Sequence, residues 1–240
     1  MSMARGLFVT GTDTGVGKTL VAAGLVLWAR ERGLRVGAMK PAESGCARVG
    51  DALLPADAAL LRWAAGGADP LDRVCPYRLE AALAPGVAAR REGVDVSLDG
   101  VRAALSALCA AHPDGVVVEG AGGLLVPMDR ALRTGVDWAR ALGLPALVVA
   151  RGGLGTINHT LLTLEALAAR DVPCRGVIFS ARTAEQAQAA EENAEVIAAM
   201  SGARVLAILP PLEGFDDWAR ARRVAEILAG RKLDPADLLA

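Results

Sequence analysis

The sequence predicts an α/β protein: a mainly parallel β-sheet with helices on both faces. Two observations carry this. Short runs that are apolar along their whole length alternate with longer Ala-rich stretches, and strands of that kind belong to sheets covered on both sides. Hydrophobic residues make up 53% of the chain and aromatic residues only 3%, so the core is expected to be built from Ala, Val and Leu.

The elements follow in order. Leu7–Thr10 reads as a strand and Gly17–Arg32 as a helix ending near Gly33. Leu34–Met39 is a second strand, and Asp57–Ala65 and Leu98–Ala111 are helices. Gly115–Val118 is a strand ending in Glu119. The apolar run Ala141–Ala150, bounded by Arg140 and Arg151, suits a buried parallel strand, and a strand is read over Ala146–Ala150. A helix over Ile157–Arg170, a strand over Cys174–Ser180, a helix over Ala184–Met200, a strand over Ala203–Leu209 and a helix over Asp217–Ala229 complete the pattern. The Pro- and Gly-richer stretch Gly66–Ala89 still carries apolar residues and reads as an excursion from the sheet. With 240 residues, no linker and no internal repeat, residues 1–240 are expected to form one domain.

Composition excludes several classes. There are 26 Lys+Arg against 27 Asp+Glu, a net charge of −1, which argues against a nucleic-acid groove or an anionic membrane surface. No run approaches the roughly 20 apolar residues of a spanning helix. The start, MSMARGLFVTGT, lacks the apolar region and cleavage site of a signal peptide, so a cytoplasmic protein is expected. Cys46, Cys75, Cys109 and Cys174 are widely spaced with no CxxC pair. With only two histidines, His112 and His159, neither a disulfide framework nor a zinc site is indicated.

Residues 9–19, VTGTDTGVGKT, carry the chemistry. A phosphate-binding loop needs a strand, a glycine-rich turn, then Lys-Ser/Thr opening a helix. Here Leu7–Thr10, Gly17-Lys18-Thr19 and the following apolar helix supply all three. Glycines let backbone N–H groups approach phosphate oxygens, and the helix N-terminus adds a favourable dipole. Lys18 would neutralise the β- and γ-phosphates, and Thr19 would offer its hydroxyl to Mg²⁺. The fold is therefore expected to be P-loop NTPase-like, with ligands at the carboxyl ends of the strands. The loop's first glycine is displaced by one position, to Gly11, with Thr12 in its usual place. Asp13 stands where partition ATPases of the form KGGxGKT carry a signature lysine.

Further groups point to the same end of the sheet. Glu119, closing a buried strand and followed by GAGG, is placed to hold a metal. Asp57 opens a helix, where an acid is commonly a cap. Lys40 in MKPAESG is either an ordinary first exposed residue or a site lysine, with Ser44 nearby. Asn158 or Thr156 in GTINHT reads as a helix cap.

Taken together, GTDTGVGKT, KPAESG, PADAALLR, CPYRLE, VEGAGG, GTINH and ILPPLE resemble dethiobiotin synthetase, over about Gly6 to Glu213. The displaced glycine is that family's own form of the loop. The resemblance implies a homodimeric, ATP- and Mg²⁺-dependent ligase of biotin biosynthesis. Such an enzyme makes dethiobiotin from 7,8-diaminononanoate and CO₂. It implies Thr19, Asp57 and Glu119 as metal ligands and Lys40, with Lys18, as catalytic lysines. The triphosphate cradle would run from Gly15 through Val16, Gly17, Lys18 and Thr19 to Leu20. Asp57, Glu119, Gly120, Ala121 and Gly122 would add nucleotide contacts, with Ser180, Leu209, Pro210, Pro211 and Glu213 around the base and ribose. Substrate would meet Thr14, Ser44, Gly122, Gly123 and, across the dimer, Asn158.

The chain departs from the family pattern at four places. Gly15 stands where some members have an acid, Ala82 and Gly86 replace a proline and a histidine, and Ser180-Ala181 replaces an Asn-containing pair. An amide pairs two edges of adenine at once and a serine does not, which leaves the choice among ATP, GTP and CTP open. The competing readings are a partition-type P-loop ATPase switch, against which Asp13 and Lys40 speak, and another ATP-dependent amidating or carboxylating enzyme on the same fold, such as one acting on corrin carboxylates.

Overall fold

The computed structural model describes residues 5–214 and 216–240. Strand β1 (Gly6–Gly11) leads through the glycine-rich loop into helix α1 (Lys18–Glu31), which returns to β2 (Val36–Met39). An excursion follows: β3 (Ala42–Ser44), the hairpin β4 (Ala47–Val49) and β5 (Ala52–Leu54), α2 (Ala56–Ala64), α3 (Leu71–Val74), β6 (Tyr77–Leu79) and α4 (Pro85–Glu92). Helix α5 (Leu98–Ala111) leads back to β7 (Gly115–Gly123). After that come α6 (Gly135–Leu142), β8 (Ala146–Arg151), α7 (Thr156–Ala168), β9 (Cys174–Ser180), α8 (Ala184–Ser201), β10 (Val205–Leu209), α9 (Asp217–Ala229) and α10 (Pro235–Leu239).

Six strands form the main sheet, in the order β10-β9-β8-β1-β7-β2, and every pairing is parallel. Its strands are buried along nearly their full length because helices cover both faces. One apolar layer is built from α1, α2, α9 and α10, with Trp28, Leu61 and Val224 among its residues. The other is built from α4 to α8, around Trp138, Leu108 and Ile197. The chain runs from β1 outward to β2, comes back to β7, then crosses to β8 on the other side of β1. The phosphate loop thus lies where the strand order switches, the place at which open parallel sheets leave a crevice.

The expected elements are present with small shifts of boundary, and four differences have physical causes. Glu119 does not end its strand: β7 runs on to Gly123, and its register against β1 shifts between Val9↔Glu119 and Gly11↔Gly123. The run Ala141–Ala150 is not one strand, since its first residues close α6 and the strand begins at Ala146. Neither Asn158 nor Thr156 caps α7. The cap position is Gly155, in the left-handed region with φ 88°, and it offers no side chain. The excursion contains a small parallel sheet in which Ala42, Glu43 and Ser44 pair with Tyr77, Arg78 and Leu79. Among the described residues, no helix is long and apolar enough to cross a membrane.

Candidate functional site

Two clefts flank the phosphate loop. The first, of about 620 Å³, lies on the β7 and α2 side and is lined by Lys18, Thr19, Lys40, Asp57, Glu119 and Ser44, with Thr14, Ala121 and Gly122. The second, of about 550 Å³, lies on the β9 and β10 side and is lined by Gly15, Val16, Ser180, Arg182, Pro210 and Glu213. Thr14, Gly15, Gly17 and Leu20 border both.

The loop has the local conformation that its glycines were expected to permit. Gly17, at the N-cap of α1, has φ 98°, and a Cβ built there would lie 3.0 Å from the Ser180 hydroxyl. Both the backbone angle and the space demand glycine. Among the described residues, the backbone N–H groups of Gly17, Lys18 and Thr19 donate to no protein acceptor. Unpaired amides at a helix N-terminus form a ready cradle for phosphate oxygens. The Lys18 ammonium folds back to the Asp13 carbonyl at 3.0 Å. Burial lowers the Lys18 pKa to about 8, even though Glu119 and Asp57 pull the other way.

Lys40 is the centre of the first cleft. Its Nζ donates to Asp57 Oδ2 at 2.7 Å and to Glu119 Oε1 at 2.7 Å. It is only 4% exposed, and Glu119 is 1% exposed. Burial would lower the lysine's pKa, but the two carboxylates outweigh it and hold the ammonium charged. The same lysine outweighs burial at Asp57 and keeps that acid below the ordinary carboxylate range. The Thr19 hydroxyl donates to Glu119 Oε1 at 2.9 Å, so both donors share one oxygen. The other, Oε2, is buried without a partner among the described residues. An orphaned carboxylate oxygen beside a threonine hydroxyl and a second carboxylate is a hard oxygen set of the kind Mg²⁺ takes. Thr19, Asp57 and Glu119 therefore fit such an ion, with Lys40 sharing their charge.

Asp57 does not cap its helix. It is the second residue of α2, after Pro55 at the N-cap. The first turn is instead held by Glu43, whose Oε1 accepts the Asp57 N–H at 3.0 Å and whose Oε2 accepts the Ala58 N–H at 2.9 Å. Sequence reasoning missed Glu43, because the groups it serves lie far along the chain. It also missed Trp218, which lines the first cleft and meets Trp63 edge-on, with ring centroids 5.0 Å apart. The Arg222 guanidinium sits 5.2 Å from the Trp63 centroid on the same surface.

Other expected site residues fall outside both linings. Gly120 is buried inside β7, and Gly123 pairs with Gly11. Leu209 is buried in β10, and Pro211 follows it with Pro210 and Leu212, not itself, facing the cleft. Asn158 is exposed on α7, apart from both clefts. Its neighbour His159 meets the Arg151 guanidinium, Nη2 to Nδ1, at 3.2 Å. Ala82 and Gly86 lie in the excursion and line neither of the two clefts.

The parallel sheet, the loop at its switch point and the lysine–carboxylate cluster define a P-loop nucleotide-binding protein. Solved structures agree on the fold. The chain is similar to the septum site-determining protein MinD complexed with Mg-ADP from Pyrococcus horikoshii, with TM-score 0.56 and 18% identity, covering 95% of each chain. It is also similar to a ParA family ATPase from Chlorobium tepidum, with TM-score 0.52 and 13% identity over 94% of this chain and 91% of that one. A family model described as an AAA domain matches residues 5–218. The ATP-dependent dethiobiotin synthetase BioD of Anaeromyxobacter dehalogenans strain 2CP-C is 52% identical over 95% of this chain and 98% of its own length. That of Thermodesulfovibrio yellowstonii is 40% identical over 88% of this chain and 90% of its own. The chain belongs to the dethiobiotin synthetase family.

Proposed function

We propose that this chain is an ATP-dependent dethiobiotin synthase, joining 7,8-diaminononanoate and CO₂ and closing the ureido ring. One observation carries the reading beyond nucleotide binding: Lys40 and Lys18 open onto the same cleft as Thr19, Asp57 and Glu119. A nucleotide switch needs the loop and metal ligands. A buried second lysine, held charged beside them, suits an enzyme that must stabilise an anion next to the γ-phosphate.

The residues account for the steps. One amine of the bound diamine adds to CO₂ and loses a proton, giving a carbamate anion. Lys40 and Lys18 stabilise that anion as positioned cations at developing charge. A carbamate oxygen attacks the γ-phosphate, whose oxygens the Lys18 ammonium and the Gly17–Thr19 amides hold in line, and ADP leaves. The second amine then attacks the carbonyl of the carbamic–phosphoric anhydride, loses a proton, and expels phosphate as the ring closes. Both amines belong to one bound molecule, so this step draws on proximity. When bound at Thr19, Asp57 and Glu119, Mg²⁺ would supply charge neutralisation on the β- and γ-phosphates. Ser44 and Thr14 would position the diamine, and the Gly122–Gly123 backbone would give it room.

We place the enzyme in the cytoplasm as a homodimer. Asn158 lies outside both clefts of its own chain, which suits a residue that serves a second copy's substrate. Leu154 is fully exposed beside it, as is much of Leu162. Incubating the protein with Mg-ATP, bicarbonate and diaminononanoate tests the activity. The expected product is heavier than the diamine by one carbonyl less the two amine hydrogens, formed with ADP and phosphate. ATP hydrolysis that ignores both co-substrates would instead indicate a switch. Sedimentation of the native chain tests the dimer.

A further inference from the structure

We propose that Arg182 is a specificity-determining contact for the nucleotide, tying the base side of the site to the phosphate loop. The inference rests on the nucleotide site proposed above and adds a residue to it. Arg182 lies just past the end of β9, yet its Nη2 donates to the Gly15 carbonyl of the phosphate loop at 2.6 Å, 167 positions away in sequence. Gly15 has φ 72°, and a Cβ there would come 3.3 Å from the same nitrogen. A bare glycine at this position is what lets the guanidinium reach the loop's backbone.

The bond fixes more than a carbonyl. A trans peptide points its C=O and its N–H in opposite directions. Holding the Gly15 oxygen toward Arg182 therefore aims the Val16 N–H away from it, and sets the turn leading into Gly17. Arg182 is itself braced. Its backbone N–H donates to Gln186 Oε1 at 3.0 Å, and the Gln186 N–H donates to the Thr183 hydroxyl at 3.3 Å in the first turn of α8. Beside it, Ser180 Oγ lies 3.0 Å from the Cβ position of Gly17, so two residues at the end of β9 bear on the loop.

Arg182 also lines the second cleft, with Ser180, Gln186, Pro210 and Glu213. A guanidinium carries several N–H donors in one plane. Among the described residues, Arg182 uses only Nη2 on another side-chain or backbone acceptor. The rest are available to acceptors on the base edge or ribose of a nucleotide whose phosphates occupy the loop. Ser180 has one rotatable hydroxyl and discriminates base edges poorly by itself. The fork beside it gives the cleft a fixed set of donors. Base contact and loop geometry then depend on one side chain.

The test compares Arg182→Ala and Arg182→Lys with the native chain. Isothermal titration with ADP reads binding, and steady-state kinetics with ATP, GTP and CTP at saturating diaminononanoate and bicarbonate read preference. For Arg182→Ala, ADP affinity should fall and KM for ATP should rise about tenfold, while kcat changes little. The preference among the three nucleotides should flatten. Arg182→Lys should recover part of the affinity by reaching the Gly15 carbonyl, but not the preference, since a single ammonium cannot serve both sides. A native chain that binds ADP, with Arg182→Ala equal to it in affinity, KM and preference, would overturn the inference alone. A native chain that binds no nucleotide would overturn the underlying reading together with it.

Discussion

Glu43 holds the helix that presents Asp57: its two carboxylate oxygens accept the N–H groups of Asp57 and Ala58 at 3.0 and 2.9 Å. The acid three positions after Lys40 in KPAESG thus does the capping, which leaves the Asp57 side chain free to face Lys40. Glu43→Gln replaces one acceptor by an NH₂ group opposed to a backbone N–H. Stability should fall by about 1 kcal/mol, the scale of a lost cap. Turnover should fall with it as Asp57 loses its fixed position. Urea unfolding and kcat measured together check this; a variant with native values for both would show that α2 does not need the Glu43 carboxylate.

Lys40→Ala should lower kcat by roughly 10²-fold or more, the scale of one lost electrostatic contact at developing charge. KM for ATP should move far less, because the phosphate cradle is backbone and Lys18. Removing one partner of a buried ion pair also costs about 3–5 kcal/mol, so folding must be followed in parallel. Pairing Lys40→Met with Glu119→Gln should restore part of the stability and none of the turnover. Native kcat in a folded Lys40 variant would end the role given to this residue.

Glu119→Gln keeps the shape of the side chain and removes its charge. The Mg²⁺ concentration needed for half-maximal activity should rise, since the orphaned Oε2 becomes either an amide nitrogen or a neutral oxygen. An activity titration against Mg²⁺ that overlays the native curve would count against Glu119 as a metal ligand.

The thiols give a prediction about pH. Burial pushes Cys46 from 9.0 up to about 11, and pushes Cys75, Cys109 and Cys174 upward as well. At neutral pH the native chain should react slowly with a thiol reagent, and all four cysteines should react once unfolded. The sign for stability follows. Below 9.0 the Cys46 thiol is protonated in both states; above it only the unfolded chain ionises, so stability should decline as pH rises from 9.0 toward about 11. Replacing Cys46 by Ser should make that part of the profile less steep, with the other three raised thiols keeping some of the decline. Denaturant midpoints taken across this range would show it, and a native profile already flat there would contradict it.

Much of the candidate site was legible in the sequence because its residues are packed into contiguous motifs. Gly17, Lys18 and Thr19 follow a strand and open a helix, and Glu119 sits in a run of small residues, so short-range pattern was enough. Lys40 was ambiguous from sequence, since a lysine ending a strand needs no partner; its two carboxylates are visible only in three dimensions. Glu43 and Arg182 were invisible for the same reason, each acting on backbone groups distant in sequence. Strands of three residues such as β3 and β6 are too short to show a period of two. Helix α6 was missed although its signal was present. Thr134 and Asp137 form a capping box, with the Asp137 carboxylate accepting from the Thr134 N–H at 2.7 Å. The cap at α7 was misread because Gly155 supplies it with backbone alone.

The aromatic pair at the rim of the first cleft gives the protein a built-in optical probe. Of its four tryptophans, Trp28 and Trp138 are fully enclosed in the two apolar layers and should emit alike with or without ligand. Trp218 borders the cleft and Trp63 touches it, so quenching or a wavelength shift on adding Mg-ATP would come from that corner of the molecule. Binding can then be followed in the unlabelled chain, and Trp218→Phe would separate the reporting ring from the silent background.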